Sequence, residues 1–167
     1  MRTIILAILI ISFLLFPLQV KGDTQSQLVA RDLSTPRSSP FRLIATEQEV
    51  KIFFDNYIER YTDKDIDGFL WLFSSKAVQN QKDGLPGIRE IYTNFFDQSQ
   101  ALKYRMRDQK VEIYENAVEV KARYEIEQIV KRSEATKVLR GWVRWVLIKE
   151  GGVLKIFSVD YRNEKTP

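Results

Sequence analysis

The stretch Val118-Glu119-Val120-Lys121-Ala122-Arg123-Tyr124-Glu125-Ile126-Glu127 alternates without a break, apolar at every even position and charged at every odd one. Successive side chains of a strand point to opposite faces, so this segment predicts a strand with one buried and one wet face, as in antiparallel sheets. Upstream, Leu102, Tyr104 and Met106 alternate in even register while Val111 and Ile113 are odd. One face can stay buried along that strand only if a residue is inserted near Asp108, which predicts a β-bulge. Glu115-Asn116 supplies a tight turn between these two strands. Downstream, residues 131–137 form a polar loop, residues 138–149 a further strand, and Gly151-Gly152 turns the chain into a last strand over residues 153–161.

Further toward the N-terminus the apolar period becomes helical. Thr46-Glu47-Gln48-Glu49 is a capping-box pattern, and Val50, Phe53, Phe54, Tyr57, Ile58 and Tyr61 follow on one face, with Lys51, Asp55, Glu59 and Arg60 opposite. Asp65 can cap a second, short helix whose face carries Ile66, Phe69, Leu70 and Phe73, widened by Trp71 and Leu72. Lys82-Asp83-Gly84 marks a turn, and Pro86 opens a third helix through Ile88, Ile91, Tyr92, Phe95 and Phe96. Three helices followed by a meander predict an α+β fold: a cone-shaped, strongly bent antiparallel sheet packed on three N-terminal helices.

Composition bounds the chemistry. A chain of 167 residues with 44% hydrophobic and 12% aromatic side chains suits one domain with a full core. Arg2 and Lys21 precede any acidic residue; without them 24 basic residues face 22 acidic ones, too even a balance for a phosphate-neutralising surface, so no nucleic-acid partner is expected. Cysteine and histidine are both absent. Disulfides, thiolate or imidazole metal sites and imidazole-dependent triads are thereby excluded, and neither a metal nor a cofactor is expected.

Residues 1–22 have the features of a secretory signal: Arg2 is followed by an apolar run over residues 4–16, then Pro17, with cleavage expected after Gly22. An uncleaved anchor is the alternative, since the run extended to Val20 reaches the lower limit for spanning a bilayer. Either way the domain is exported, to the periplasm or medium or, if uncleaved, on the membrane. Residues 23–43, with Pro36 and Pro40, are expected to form a flexible tether, residues 44–163 the domain, and residues 164–167 a tail.

Several segments resemble the nuclear-transport-factor-2-like (SnoaL-like) superfamily as it occurs in exported bacterial proteins. They are Tyr57-Ile58-Glu59-Arg60-Tyr61, Lys64-Asp65-Ile66-Asp67-Gly68-Phe69, Leu72-Phe73-Ser74, Gly87-Ile88-Arg89-Glu90-Ile91-Tyr92, Phe95-Phe96, Gly141-Trp142-Val143-Arg144-Trp145 and Gly152-Val153-Leu154-Lys155-Ile156. The resemblance implies a cystatin-like roll, and it extends to accessory domains attached to some L,D-transpeptidases. The nucleophilic cysteine of that chemistry is absent, so the resemblance brings a fold and an envelope context and no activity.

Enzymes of that superfamily work inside the cone with a buried carboxylate and a tyrosine or protonated acid, which directs attention to particular residues. Asp160 is the one carboxylate candidate, because it shares parity with Leu154 and Ile156; a surface ion pair with an arginine is its alternative. Tyr57, Tyr61, Tyr92, Tyr104, Tyr124 and Trp145 are candidates for a ligand pocket, with core packing as the competing role. Asp65 and Asp67 are close in sequence, but a helix cap accounts for Asp65. On the strand over residues 138–149, Leu139, Val143, Trp145 and Leu147 share one side, whereas Arg140, Trp142, Arg144 and Val146 share the other. That second side is an interface candidate, for a homodimer through the sheet, unless the arginine stems shield it within the monomer. The resulting expectation is an exported, non-catalytic binding or protein-interaction module, its partner an envelope protein or a small hydrophobic ligand. The alternative is a cofactor-independent isomerase, dehydratase or cyclase acting in the cone.

Overall fold

The computed structural model describes residues 42–164. The signal expected over residues 1–22, most of the tether and residues 165–167 lie outside them. Thr46 closes a full capping box on α1 (Glu47–Asp63): its hydroxyl accepts from the Glu49 N–H, and the Glu49 carboxylate accepts from the Thr46 N–H. Lys149 also binds Glu49, at 2.9 Å, and with the Thr46 N–H it lowers that carboxyl to a pKa of about 2. Lys64 ends the helix in the left-handed region at φ 59°, and its ammonium donates to the carbonyls of Ser99 and Gln100. Val50, Phe53, Phe54, Tyr57 and Tyr61 are buried along one stripe.

Asp65 caps α2 (Ile66–Trp71) through the Gly68 N–H at 3.0 Å and also receives Arg60. Asp67 is exposed and pairs with Arg89 instead. The helix is shorter than the apolar spacing suggests. Phe73 begins a strand, β1 (Phe73–Gln79), because the Leu72 carbonyl already accepts from the Ile156 N–H, drawing the chain into the sheet. Trp71, expected on the buried face, is 57% exposed with the Lys155 ammonium 3.2 Å from its ring centroid. The turn after β1 is made by Asn80 and Gln81, both at positive φ, and Asp83–Gly84 form β2, paired back on β1. Next comes α3 (Leu85–Gln98), with Pro86 in its first turn and Ile88, Tyr92 and Phe96 buried.

The four long strands are β3 (Ser99–Ile113), β4 (Val118–Val130), β5 (Thr136–Glu150) and β6 (Val153–Asn163). Their pairing is the antiparallel meander that the alternation predicts. The ladder of β3 on β4 slips between Arg107 and Lys110, where Asp108 sits at φ 53°, so the bulge falls where the parity change demands it. One correction concerns the sheet as a whole. It is mixed, in the order β2-β1-β6-β5-β4-β3, because β1 adds to β6 in parallel. Helices pack on the concave side of this open α+β sheet. Their contact is largely aromatic: Phe69, with no exposed surface, has Tyr57, Tyr61, Phe73, Tyr92 and Phe96 around it at centroid distances of 4.7 to 5.7 Å. No helix among the described residues is long and apolar enough to cross a membrane.

Candidate functional site

The concave side leaves a chamber of about 160 Å³ between α1, α3 and strands β3 to β6. Tyr57 and Tyr61 reach it from α1, one turn apart on the buried stripe, and Ile91, Tyr92 and Phe95 come from α3. The strands add Tyr104, Tyr124, Ile126, Leu139, Val143, Val159, Tyr161 and Asn163. Its chemistry is uniform: six phenols, the Phe95 ring, one carboxamide and aliphatic walls. Among the described residues no carboxylate, ammonium or guanidinium lines it.

Polarity concentrates at one end. Tyr124, Gly141 and Asn163 stand opposite one another on β4, β5 and β6, and the Tyr124 hydroxyl donates to the Asn163 side-chain oxygen across the glycine. A Cβ at Gly141 would lie 2.7 Å from the Tyr124 hydroxyl and would collide with the Arg162 carbonyl, so only glycine lets the tyrosine lie across β5. With its oxygen engaged, Asn163 keeps its amide N–H groups for a ligand acceptor. Both Asn163 and Tyr161 are exposed, which makes this end the mouth.

Burial pushes Tyr57, Tyr61, Tyr92 and Tyr104 well above the ordinary phenol range, and neighbouring phenols push the same way. Tyr124 is raised to about 12, first by burial and then by Tyr161 and Glu164. Near neutral pH these five are protonated, so they can donate hydrogen bonds but cannot serve as bases.

No family model and no curated protein matches the sequence. Solved structures do. A nuclear-transport-factor-2-like superfamily protein of Salmonella enterica superposes with a TM-score of 0.63 at 16% identity, over 71% of this chain and 91% of that one. The fold is that of nuclear-transport-factor-2-like proteins. A candidate scytalone dehydratase of Novosphingobium aromaticivorans is similar at TM-score 0.63 and 10% identity, over 71% and 83% of the two chains. Bd1075 of Bdellovibrio bacteriovorus matches at 0.62 and 13%, over 70% of this chain but 41% of its own, so there the fold fills less than half of a longer chain.

Set against the sequence expectations, the fold brings Tyr57, Tyr61, Tyr92, Tyr104 and Tyr124 together around the chamber, buried and lining at once. Trp145 is not among them. It is fully buried against Phe54 and Tyr57, with centroids 4.9 and 5.7 Å away, as part of the core beneath. Asp160 is also displaced from the cone. The β5–β6 register shifts between Val146 and Leu147, where Phe157 is the extra residue, so Val159, Tyr161 and Asn163 turn inward and Asp160 turns out toward Arg144, 3.7 Å away. Parity counted from Leu154 fails at that point, and the same slip hid Tyr161 and Asn163. Arg140, Trp142, Arg144 and Val146 share the outer face, where Arg140 binds Glu125 at 2.8 Å and Arg144 binds Glu119. Among the described residues no acidic cluster could hold a metal ion.

Proposed function

We propose that this chain is an exported, non-catalytic binding module of the cell envelope whose cone takes up a small, uncharged, ring-bearing molecule. The observation that carries the reading is the chamber itself, open, walled by phenols and aliphatic groups, and free of charged side chains among the described residues. Its volume matches one aromatic ring, close to the roughly 150 Å³ of cavities that hold benzene. A charged ligand would lose its hydration there without a counter-ion, whereas a carbonyl or hydroxyl oxygen could accept from Asn163. Export and an envelope partner rest on the signal pattern of residues 1–22.

The likeness to structures described as candidate dehydratases favours a second reading, cofactor-independent elimination or isomerisation in the cone. It needs a base matched to neutral pH, and among the described residues the polar groups of the lining are phenols and one amide, with no carboxylate or imidazole. Histidine, which scytalone-dehydratase-like chemistry requires, is absent from the chain.

The two readings part in one experiment. Phenol, p-cresol, indole and 1-phenylethanol, which could lose water to styrene, are screened by thermal shift beside benzoate and benzylamine, with each compound recovered and identified by NMR. Binding predicts stabilisation by neutral compounds only, their removal by Leu139→Trp, and chemically unchanged ligand. A time-dependent product that disappears with Tyr124→Phe would establish the enzyme reading instead.

A further inference from the structure

The outer face of the sheet carries an arrangement that the chamber does not need. One row crosses four strands: Arg107 stands opposite Arg123, Arg123 opposite Trp142, and Trp142 opposite Arg162. All four are exposed. Beyond the bulge at Asp108, Lys110 stands opposite Lys121. Three successive rungs of β3 and β4 therefore set like charges face to face, two basic ones and then Glu112 opposite Glu119, which destabilises a sheet. Further along the same strands the chain does the reverse, with Arg105 opposite Glu125 and Glu125 opposite Arg140, both ion-paired at 2.8 Å. Such a local conflict, next to a stretch of the same strands that avoids it, is the mark of a functional surface.

Trp142 sits at the centre of that row, 53% exposed, with the Arg123 guanidinium 5.2 Å from its ring. A groove of about 560 Å³ opens beside it, where Lys110, Lys121, Arg144 and Arg162 outnumber Asp108 and Asp160. Lys121 and Arg144 are engaged by Glu119, and Arg123 by Glu164. Arg107, Lys110 and Arg162 make no ion pair among the described residues.

We propose that this row is a docking surface for an acidic segment of a partner protein, with a few carboxylates received by Arg107, Lys110 and Arg162 around an apolar side chain seated on Trp142. Tryptophan and arginine are the residue types that carry most of the energy at protein interfaces. A long polyanion fits less well. The cation row is narrow, and Glu119, Glu125 and Asp160 border it, so a continuous phosphate or sulfate chain would run into carboxylates. A second copy paired isologously about Trp142 would set these cations against their own equivalents.

The test uses the full chain and a labelled Glu-Glu-Leu-Glu-Glu peptide with its Gln counterpart, followed by anisotropy at two ionic strengths. Oligothymidylate and a heparin hexasaccharide run alongside, and sedimentation reports the oligomeric state. Binding is expected for the acidic peptide alone, weaker at high salt, and reduced about tenfold by Trp142→Ala or by Arg107→Gln with Arg162→Gln. Arg107→Glu makes the rung with Arg123 complementary, so it should abolish binding while raising the melting temperature by about 2 °C. Arg105→Gln, in the ion-paired part of the face, should leave binding unchanged. Failure of the acidic peptide to bind, tighter binding of heparin or oligothymidylate, or a dimer that Arg162→Glu dissociates would each overturn the proposal.

Discussion

The two faces of β4 are built on different rules from adjacent residues. Inward, Val118, Val120, Ala122, Tyr124, Ile126 and Gln128 are buried, and their partners on the neighbouring strands and helices are mainly aromatic or aliphatic. Outward, Glu119, Lys121, Arg123, Glu125 and Glu127 remain in contact with water and are organised in cross-strand rungs of charge. Burial is non-directional, so apolar character at the right parity is enough to define the inner face. A charged rung depends on which residue stands opposite, and that is set by register. Disturbance of the inner face should therefore cost much more than disturbance of the outer one.

Alkali should produce the largest effect, because it acts on five inner phenols together. Tyr57, Tyr61, Tyr92 and Tyr104 titrate well above the ordinary value of 10.0, and Tyr124 at about 12, since burial disfavours the phenolate. In the unfolded chain the same groups ionise near 10. Between about pH 10 and 12 the unfolded state gives up protons that the folded state retains, so stability, steady with respect to these groups below 10, falls as pH rises. Phenolate absorbance from this set should appear together with the loss of far-UV circular dichroism. Phenolate formation within an intact fold would mean that these rings are not buried as described.

Next in size is Phe69→Ala. Phe69 has no exposed surface and five aromatic neighbours, so truncation leaves a cavity at the centre of the helix layer and should cost about 3 to 5 kcal/mol in denaturant unfolding. Gly141→Ala should cost less, about 1 to 3 kcal/mol, by pressing a methyl group against Tyr124 and the Arg162 carbonyl. It should also part Tyr124 from Asn163. A neutral-ring ligand would then lose affinity in the same variant, and unchanged affinity would remove Asn163 from the mouth.

These sizes parallel what could be read from the sequence. The start of α1, the cap at Asp65, the bulge at Asp108 and the parity of β4 were legible, since each is written within a few residues as a cap, a period or a parity change. Five of the six pocket candidates lie at the chamber for the same reason. What was not legible depends on distant chain. Residues 73–79 form a strand because β6 offers them a free edge, and Phe73-Ser74-Ser75-Lys76 shows no alternation of its own. Asp160 turned outward, and Tyr161 and Asn163 inward, because of a slip at Phe157 that neither strand announces. The like-charged rungs appear only when β3 and β4 are laid side by side.

The smallest effect should come from Arg105→Gln, and it sharpens the contrast most. Arg105 bridges Glu125 at 2.8 Å and also Glu127, a geometry that suggests a strong interaction. Its side chain is 31% exposed, however, and Glu125 keeps Arg140 when Arg105 is removed, so no carboxylate is left both buried and unpaired. Solvent screening and the entropy of holding a long side chain should keep the loss below that of every change to the inner face. The loss should shrink further in molar salt, which screens exposed pairs over a few ångströms. Comparable loss at low and high salt would show that Arg105 acts through the packing of its stem on the sheet, and the outer face would then follow the same rule as the inner one.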